Sequence, residues 1–148
     1  GMDEIQETGG TAVREDEKMN GKENTADLGQ KKLNMPDNIR PRLKVQLAGM
    51  ESFFGPGVRT LLKGIRREGS VREACEKMGM SYSKGRRIIE RAERELGFTI
   101  IERSHGGKNG GGAMLSEKGA LLLERYEQFE QELDQIAEEK YREIFVDF

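Results

Sequence analysis

The sequence is punctuated most sharply between residues 69 and 97, and that punctuation leaves little choice of fold. Gly69 is followed at once by Ser70-Val71-Arg72-Glu73, Gly79 by Met80-Ser81, and Gly97 closes the next apolar-periodic run. A glycine just past a helix accepts the left-handed backbone that ends it. A serine with a glutamate three residues on is a capping box, in which each side chain satisfies an orphan backbone N–H near the other. Three helices in quick succession are therefore predicted. The first opens at Pro56, whose missing N–H costs nothing in a first turn, and carries Val58, Leu61, Leu62 and Ile65 at helical spacing. The second is brief, with Val71, Ala74, Cys75 and Met78 inward, and the third runs from a Ser81 cap to about Leu96. Helices joined by such short turns predict a helix-turn-helix.

The flanks extend that unit. Phe98 to Arg103 is short and β-branched, which predicts a strand. It leads into Gly106, Gly107, Lys108, Asn109, Gly110, Gly111 and Gly112, and then Ala113-Met114-Leu115, so a β-hairpin with a glycine-rich tip is expected. The tip superficially looks like a phosphate-binding P-loop. Its lysine, however, is followed by Asn109 rather than Ser or Thr, and a strand comes next, so nucleotide binding is not expected. Upstream, Leu43, Val45 and Leu47 alternate with Arg42, Lys44 and Gln46, the pattern of a half-buried strand. Ser116 caps a last, long helix in which Leu122, Tyr126, Phe129, Leu133, Ala137, Tyr141, Ile144 and Phe148 form a coiled-coil-like seam with one stutter.

The fold class expected is mostly α with a small β wing (α+β): a winged helix-turn-helix over residues 40–115, then an amphipathic dimerisation helix over 116–148. Residues 1–39 have no aromatic and no sustained period, and read as a disordered acidic arm.

Charge is distributed unevenly along this plan. Residues 1–39 hold 5 basic and 9 acidic side chains, residues 40–112 hold 16 and 8, and residues 113–148 hold 4 and 10. A basic middle between acidic flanks is what a polyanion-binding module would show, although basic residues also simply solvate helices. At 100° per residue, Gly85, Ile88, Ile89, Ala92 and Leu96 fall on one side of the third helix, Ser83, Arg87, Glu90 and Arg94 lie opposite, and Lys84, Arg86 and Arg91 sit on the shoulders. One helix fits a major groove, so the N-terminal residues Ser81, Tyr82, Ser83, Lys84, Arg86 and Arg87 are candidates for base edges, and Arg91 and Arg94 for phosphates. The bland alternative is a solvated face laced by pairs such as Glu90–Arg94. In the wing, Arg103, His105 and Lys108 beside Gly106, Gly107, Gly110 and Gly111 would let backbone approach a phosphate closely.

Much chemistry is excluded on the same page. One His and one Cys build neither a four-ligand zinc site nor an internal disulfide. No nucleophile–base pair or metal cluster is apparent, so no enzyme, no catalytic residue, no metal and no cofactor are expected. Cys75 reads as a small core residue on the inner face of its helix. No apolar run approaches membrane-spanning length and the N-terminus is acidic, so neither a membrane span nor a signal peptide is expected, and a cytoplasmic location fits.

Met80 to Arg103 (MSYSKGRRIIERAERELGFTIIER) resembles the recognition helix and following strand of LysR-type bacterial regulators, including the Glu95-Leu96-Gly97 and Glu102-Arg103 endings. Gly106 to Leu115 (GGKNGGGAML), followed by Ser116 and Gly119, resembles the wing of the ModE family of molybdate-responsive regulators, with Ser81-Tyr82 and the Leu43 strand in agreement. The resemblance spans about residues 42–135. It implies a winged helix-turn-helix that dimerises, partly through the long terminal helix, and binds operator DNA. Family members that sense molybdate carry C-terminal oxyanion-binding domains, and this sequence stops at Phe148. Direct binding of an oxyanion or other small molecule is therefore not expected of it.

The sequence thus predicts a sequence-specific DNA-binding transcriptional regulator that partners double-stranded DNA and a second copy of itself. Leu122, Tyr126, Phe129, Leu133, Ala137, Tyr141 and Ile144 are the candidate dimer contacts. A rival reading stays open, in which the winged helix is only a scaffold and the terminal helix pairs with another regulator.

Overall fold

The structure, a computed structural model, describes residues 31–104 and 112–147. Its elements are β1 (Leu47–Ala48), β2 (Ser52–Phe54), α1 (Pro56–Glu68), α2 (Val71–Lys77), α3 (Tyr82–Leu96), β3 (Ile101–Ser104), β4 (Gly112–Leu115) and α4 (Glu117–Phe145). Among the described residues no helix is long and apolar enough to cross a membrane. Residues 40–142 form one compact unit. In the other, the backbone N–H groups of Leu33 (2.8 Å) and Asn34 (3.4 Å) donate to the Asp147 carboxylate.

The expected caps are where the sequence puts them. Pro56 occupies the first turn of α1, and Gly69 ends it at φ 70°. The Ser70 hydroxyl accepts from the Glu73 N–H at 3.1 Å, and the Ser81 hydroxyl accepts from the Lys84 N–H at 3.1 Å. Gly97 closes α3 at φ 80°. Buried Leu61, Leu62 and Ile65 of α1 meet Ala74 and Cys75 of α2, Ile89 and Ala92 of α3, Ile100, and Leu123 and Tyr126 of α4 in one core. Burial pushes the Cys75 thiol pKa up, which keeps it protonated and inert, as a core residue should be.

Two strands differ from expectation. Pairing is confined to Leu47–Ala48 and does not reach back to Arg42, and the partner, Ser52–Phe54, is too short to announce itself by alternation. Leu43 is 47% exposed, while Val45 and Leu47 pack against the core as the alternation requires. The second strand starts at Ile101 and not at Phe98. The reason is competition for backbone groups. The Glu93 carboxylate accepts from the N–H groups of Ile100 (2.7 Å) and Ile101 (3.2 Å), and the Thr99 carbonyl accepts from the Ser116 hydroxyl (2.7 Å). Those bonds occupy the backbone groups of residues 99–100 before the ladder begins.

The wing ladder pairs Ile101 with Leu115, Glu102 with Met114, Arg103 with Ala113 and Ser104 with Gly112. Its root is fastened to the helices, because the Ala113 N–H donates to the Gly69 carbonyl at 2.9 Å. Ser116 then begins α4, accepting from the Gly119 N–H at 2.9 Å. Gly119 lies against the backbone of Ile100 so closely that an added Cβ would overlap its carbonyl. Arg59 donates to Glu130 (2.7 Å) and Lys63 to Glu127 (2.7 Å), drawing α4 along α1.

Tyr126 anchors α4. It is 2% exposed, tilts against Phe54 with ring centroids 4.8 Å apart, and donates its hydroxyl to the Val45 carbonyl at 2.7 Å. Burial, helped by the neighbouring Glu130 carboxylate, pushes its phenol from 10.0 up to about 12. The raised value means that the folded state favours the neutral phenol. Its contribution to stability is therefore complete below pH 10 and is lost as the pH climbs towards about 12. Tyr126→Phe is expected to cost about 0.5–1.5 kcal/mol at neutral pH, the worth of one such hydrogen bond. It should also flatten the alkaline loss between pH 10 and about 12, read by urea denaturation across that range. An equally steep alkaline loss in the variant would place its origin elsewhere.

Candidate nucleic-acid interface

The helix-turn-helix owes its geometry to a missing side chain. Gly85 is buried in the first turns of α3, and a Cβ there would overlap the Cys75 sulfur of α2. The turn between the two helices is closed by the Met78 and Met80 N–H groups, both donating to the Cys75 carbonyl at 3.0 Å. Ile88, Ile89, Ala92 and Leu96 continue the inward face, as the helical projection requires.

The outward face carries the predicted residues. Ser81, Ser83, Lys84, Arg86, Arg87, Glu90, Arg91 and Arg94 are exposed, and Tyr82 is half-buried. The anticipated Glu90–Arg94 pair does not form in the structure; Glu90 instead accepts from Arg86 at 3.0 Å. Arg86 also donates to the Tyr82 hydroxyl at 3.3 Å. That hydroxyl first, and the Glu90 carboxylate second, raise the guanidinium pKa further. Lys84, Arg87, Arg91 and Arg94 take part in no ion pair among the described residues.

Arg103 is exposed on β3, opposite Ala113. The remaining wing candidates, His105, Gly106, Gly107, Lys108, Gly110 and Gly111, lie outside the described residues, as does Phe148.

On α4 the expected seam is divided. Tyr126 is a correction: it belongs to the core of its own chain and is not available to a second copy. The adjacent Leu123, which the seam omitted, is fully buried beside it. Leu122, Leu133, Ala137 and Tyr141 are half-buried. Phe129 (47%) and Ile144 are exposed, and so is Ile136 (52%), a position the seam also left out. Phe129 and Ile136 are seven residues apart, and so are Leu122 and Phe129. That heptad interval was visible in the sequence but was masked by the stronger 4-3-4 run through Tyr126.

One residue of this surface was missed outright. Arg72 of α2 sits over the Tyr82 ring, 4.1 Å from its centroid. No local pattern announces a contact between side chains of two different helices.

Residues 60–120 match the family described as bacterial regulatory helix-turn-helix protein, lysR family. The chain is 33% identical over 93 residues to the DNA-binding transcriptional dual regulator ModE of Escherichia coli (strain K12), covering 63% of this chain and 34% of that one. It is 30% identical over 81 residues to the molybdenum-pterin-binding protein MopA of Rhodobacter capsulatus, 55% of this chain and 30% of that one. The chain thus spans about a third of the length of these relatives. A crystal structure of a CbnR_DBD–DNA complex is 23% identical with a TM-score of 0.44, covering 57% of this chain and 90% of that one.

The Gly85–Cys75 contact is open to a direct check. Gly85→Ala improves helix propensity by about 0.8–1.0 kcal/mol, yet overpacking against the sulfur costs about 1–3 kcal/mol. A net fall in the thermal midpoint by circular dichroism is expected. Adding Cys75→Ala removes the obstructing sulfur, so the double variant should be more stable than the sum of the two single changes predicts. Strict additivity would show that the two positions do not meet.

Proposed function

We propose that this chain, whose residues 60–120 match the lysR-family helix-turn-helix, binds double-stranded DNA at particular sequences and regulates transcription as a homodimer. One observation carries the reading, the location of uncompensated charge. Arg40, Arg59 and Lys63 are paired with Glu138, Glu130 and Glu127 of α4, and Arg67 and Lys77 with Glu68. Among the described residues, Lys84, Arg87, Arg91 and Arg94 have no such partner and share the exposed face of one capped helix, whereas the other unpaired cations, such as Arg42, Lys44, Arg66 and Arg125, are spread over separate segments. A row of free cations along a helix suits a polyanion whose groove is about 12 Å wide and admits one helix.

In this arrangement α3 enters the major groove with Ser81 to Arg87 toward base edges. Arg91 and Arg94 meet phosphates, and Arg103 with Lys108 brings the wing to the backbone. The relative from Escherichia coli is by its name a DNA-binding transcriptional regulator, which agrees. Phe129 and Ile136, with half-buried Leu133 between, give α4 an exposed apolar stripe for a second copy, which half-buried Leu122, packed in part against the core, extends. Two such copies would present their α3 helices about 34–36 Å apart, one turn of DNA.

Selection of a preferred site from random duplexes, followed by fluorescence anisotropy, tests this. Affinity for DNA should fall steeply with salt, at about −0.9 in log–log slope per phosphate neutralised. Arg87→Ala is expected to weaken the selected site by about 1–3 kcal/mol, the worth of a bidentate base contact, while leaving random duplex nearly untouched. An equal loss on both duplexes would remove Arg87 from base readout. No binding at about 50 mM salt would reduce the winged helix to a scaffold.

A further inference from the structure

Tyr82 gathers two cations from different helices. The Arg72 guanidinium, from α2, lies 4.1 Å from the ring centroid, and that of Arg86, from α3, lies 5.8 Å away. Two like charges on one ring repel each other unless something offsets them. For Arg86 the offset is visible: it donates to Glu90 at 3.0 Å and to the Tyr82 hydroxyl at 3.3 Å. Arg72 has no carboxylate partner among the described residues, although Glu73 and Glu76 stand on the same helix. Its one described contact of this kind is the negative face of the ring.

That contact has a chemical consequence. A guanidinium resting over an aromatic ring uses its flat face, so its in-plane N–H donors stay free. The ring removes rotamer freedom that a long exposed side chain would otherwise lose on binding. What remains is a fixed, uncompensated, forked donor at the start of the helix-turn-helix, matched in geometry to two oxygens of a phosphate. We propose that Arg72, held by Tyr82, grips one backbone phosphate of the DNA whose groove α3 enters. The inference rests on the DNA reading above and adds α2 to the interface. Tyr82 acts here as a positioning residue: its ring sets Arg72, and its hydroxyl holds Arg86 toward Glu90.

The test uses the full chain and a random-sequence duplex of about 30 base pairs, titrated by anisotropy at several salt concentrations. Arg72→Ala should, for each bound copy, lower the magnitude of the log–log slope by about 0.9 and weaken binding about eightfold at ~100 mM salt, the counterion release of one phosphate. Arg72→Lys keeps the charge and should keep most of the slope. Tyr82→Phe retains the ring and should leave the Arg72 share intact. Tyr82→Leu should weaken binding, and adding Arg72→Ala to it should cost less than Arg72→Ala costs alone, since the two act as a unit. Thermal midpoints of all variants check folding; if Tyr82→Leu does not fold, the Arg72→Ala and Arg72→Lys pair decides. Binding by the parent chain with an unchanged slope in Arg72→Ala would overturn this assignment alone. Absence of salt-dependent binding by the parent chain would overturn the DNA reading with it.

Discussion

The hydroxyl of Ser116 is the knot on which the molecule depends. It accepts from the Gly119 N–H to start α4, donates to the Thr99 carbonyl, and belongs to a residue whose own N–H is taken by the Ile100 carbonyl at 2.8 Å. The segment leaving α3 thereby meets, at a 5%-exposed serine, the junction between the returning strand of the wing and the terminal helix. The absence of a Cβ at Gly119 lets the helix come close enough to the Ile100 backbone for this to happen. The knot sets where α4 starts, and Tyr126 with the Glu127 and Glu130 pairs then holds its direction along α1.

Once α4 is aligned, electrostatics follow from it. Its acidic residues stand in the sequence as one flank of a basic middle. In the folded chain several of them face that middle directly, through the pairs of Glu127, Glu130 and Glu138 with Lys63, Arg59 and Arg40. Exposed pairs of this kind contribute only about 0–1 kcal/mol each. Their greater effect is to decide where positive charge is left standing. The first of the causes raising the Arg59 pKa is its hydrogen bond to Glu130, so that cation is committed to the fold. Among the described residues, four of the cations left without an ion pair, Lys84, Arg87, Arg91 and Arg94, share α3, and Arg72 stands beside its start, while others such as Arg42, Lys44, Arg66 and Arg125 are spread over separate segments.

The sequence was most legible where structure is decided within a few residues. The serine caps at 70, 81 and 116 and the stop glycines at 69 and 97 are local chemistry, and they hold. The inward face of α3 was equally plain, because a single helix obeys one period. Legibility ended where partners come from elsewhere. Periodicity named the residues that share the α4 stripe, but it does not say that Phe54 and Val45 cover part of it, so Tyr126 was assigned to the wrong side. Strand limits failed for the same reason, since Glu93 and Ser116 compete for backbone groups of residues 99–101 from outside the strand. Arg72 on Tyr82 joins two helices whose relative placement no run of residues encodes.

The bond between Ala113 and the Gly69 carbonyl reaches further than the packing it secures. It ties the root of the wing to the turn between α1 and α2, within the same compact unit as α3. On the DNA reading, the spacing between α3 and the root of the wing is then set by the fold, and a duplex that conforms to it would be favoured. Narrowing a groove or bending a step costs more in some sequences than in others. On that reading, a domain built this way would discriminate among sites by the stiffness of base pairs it never touches.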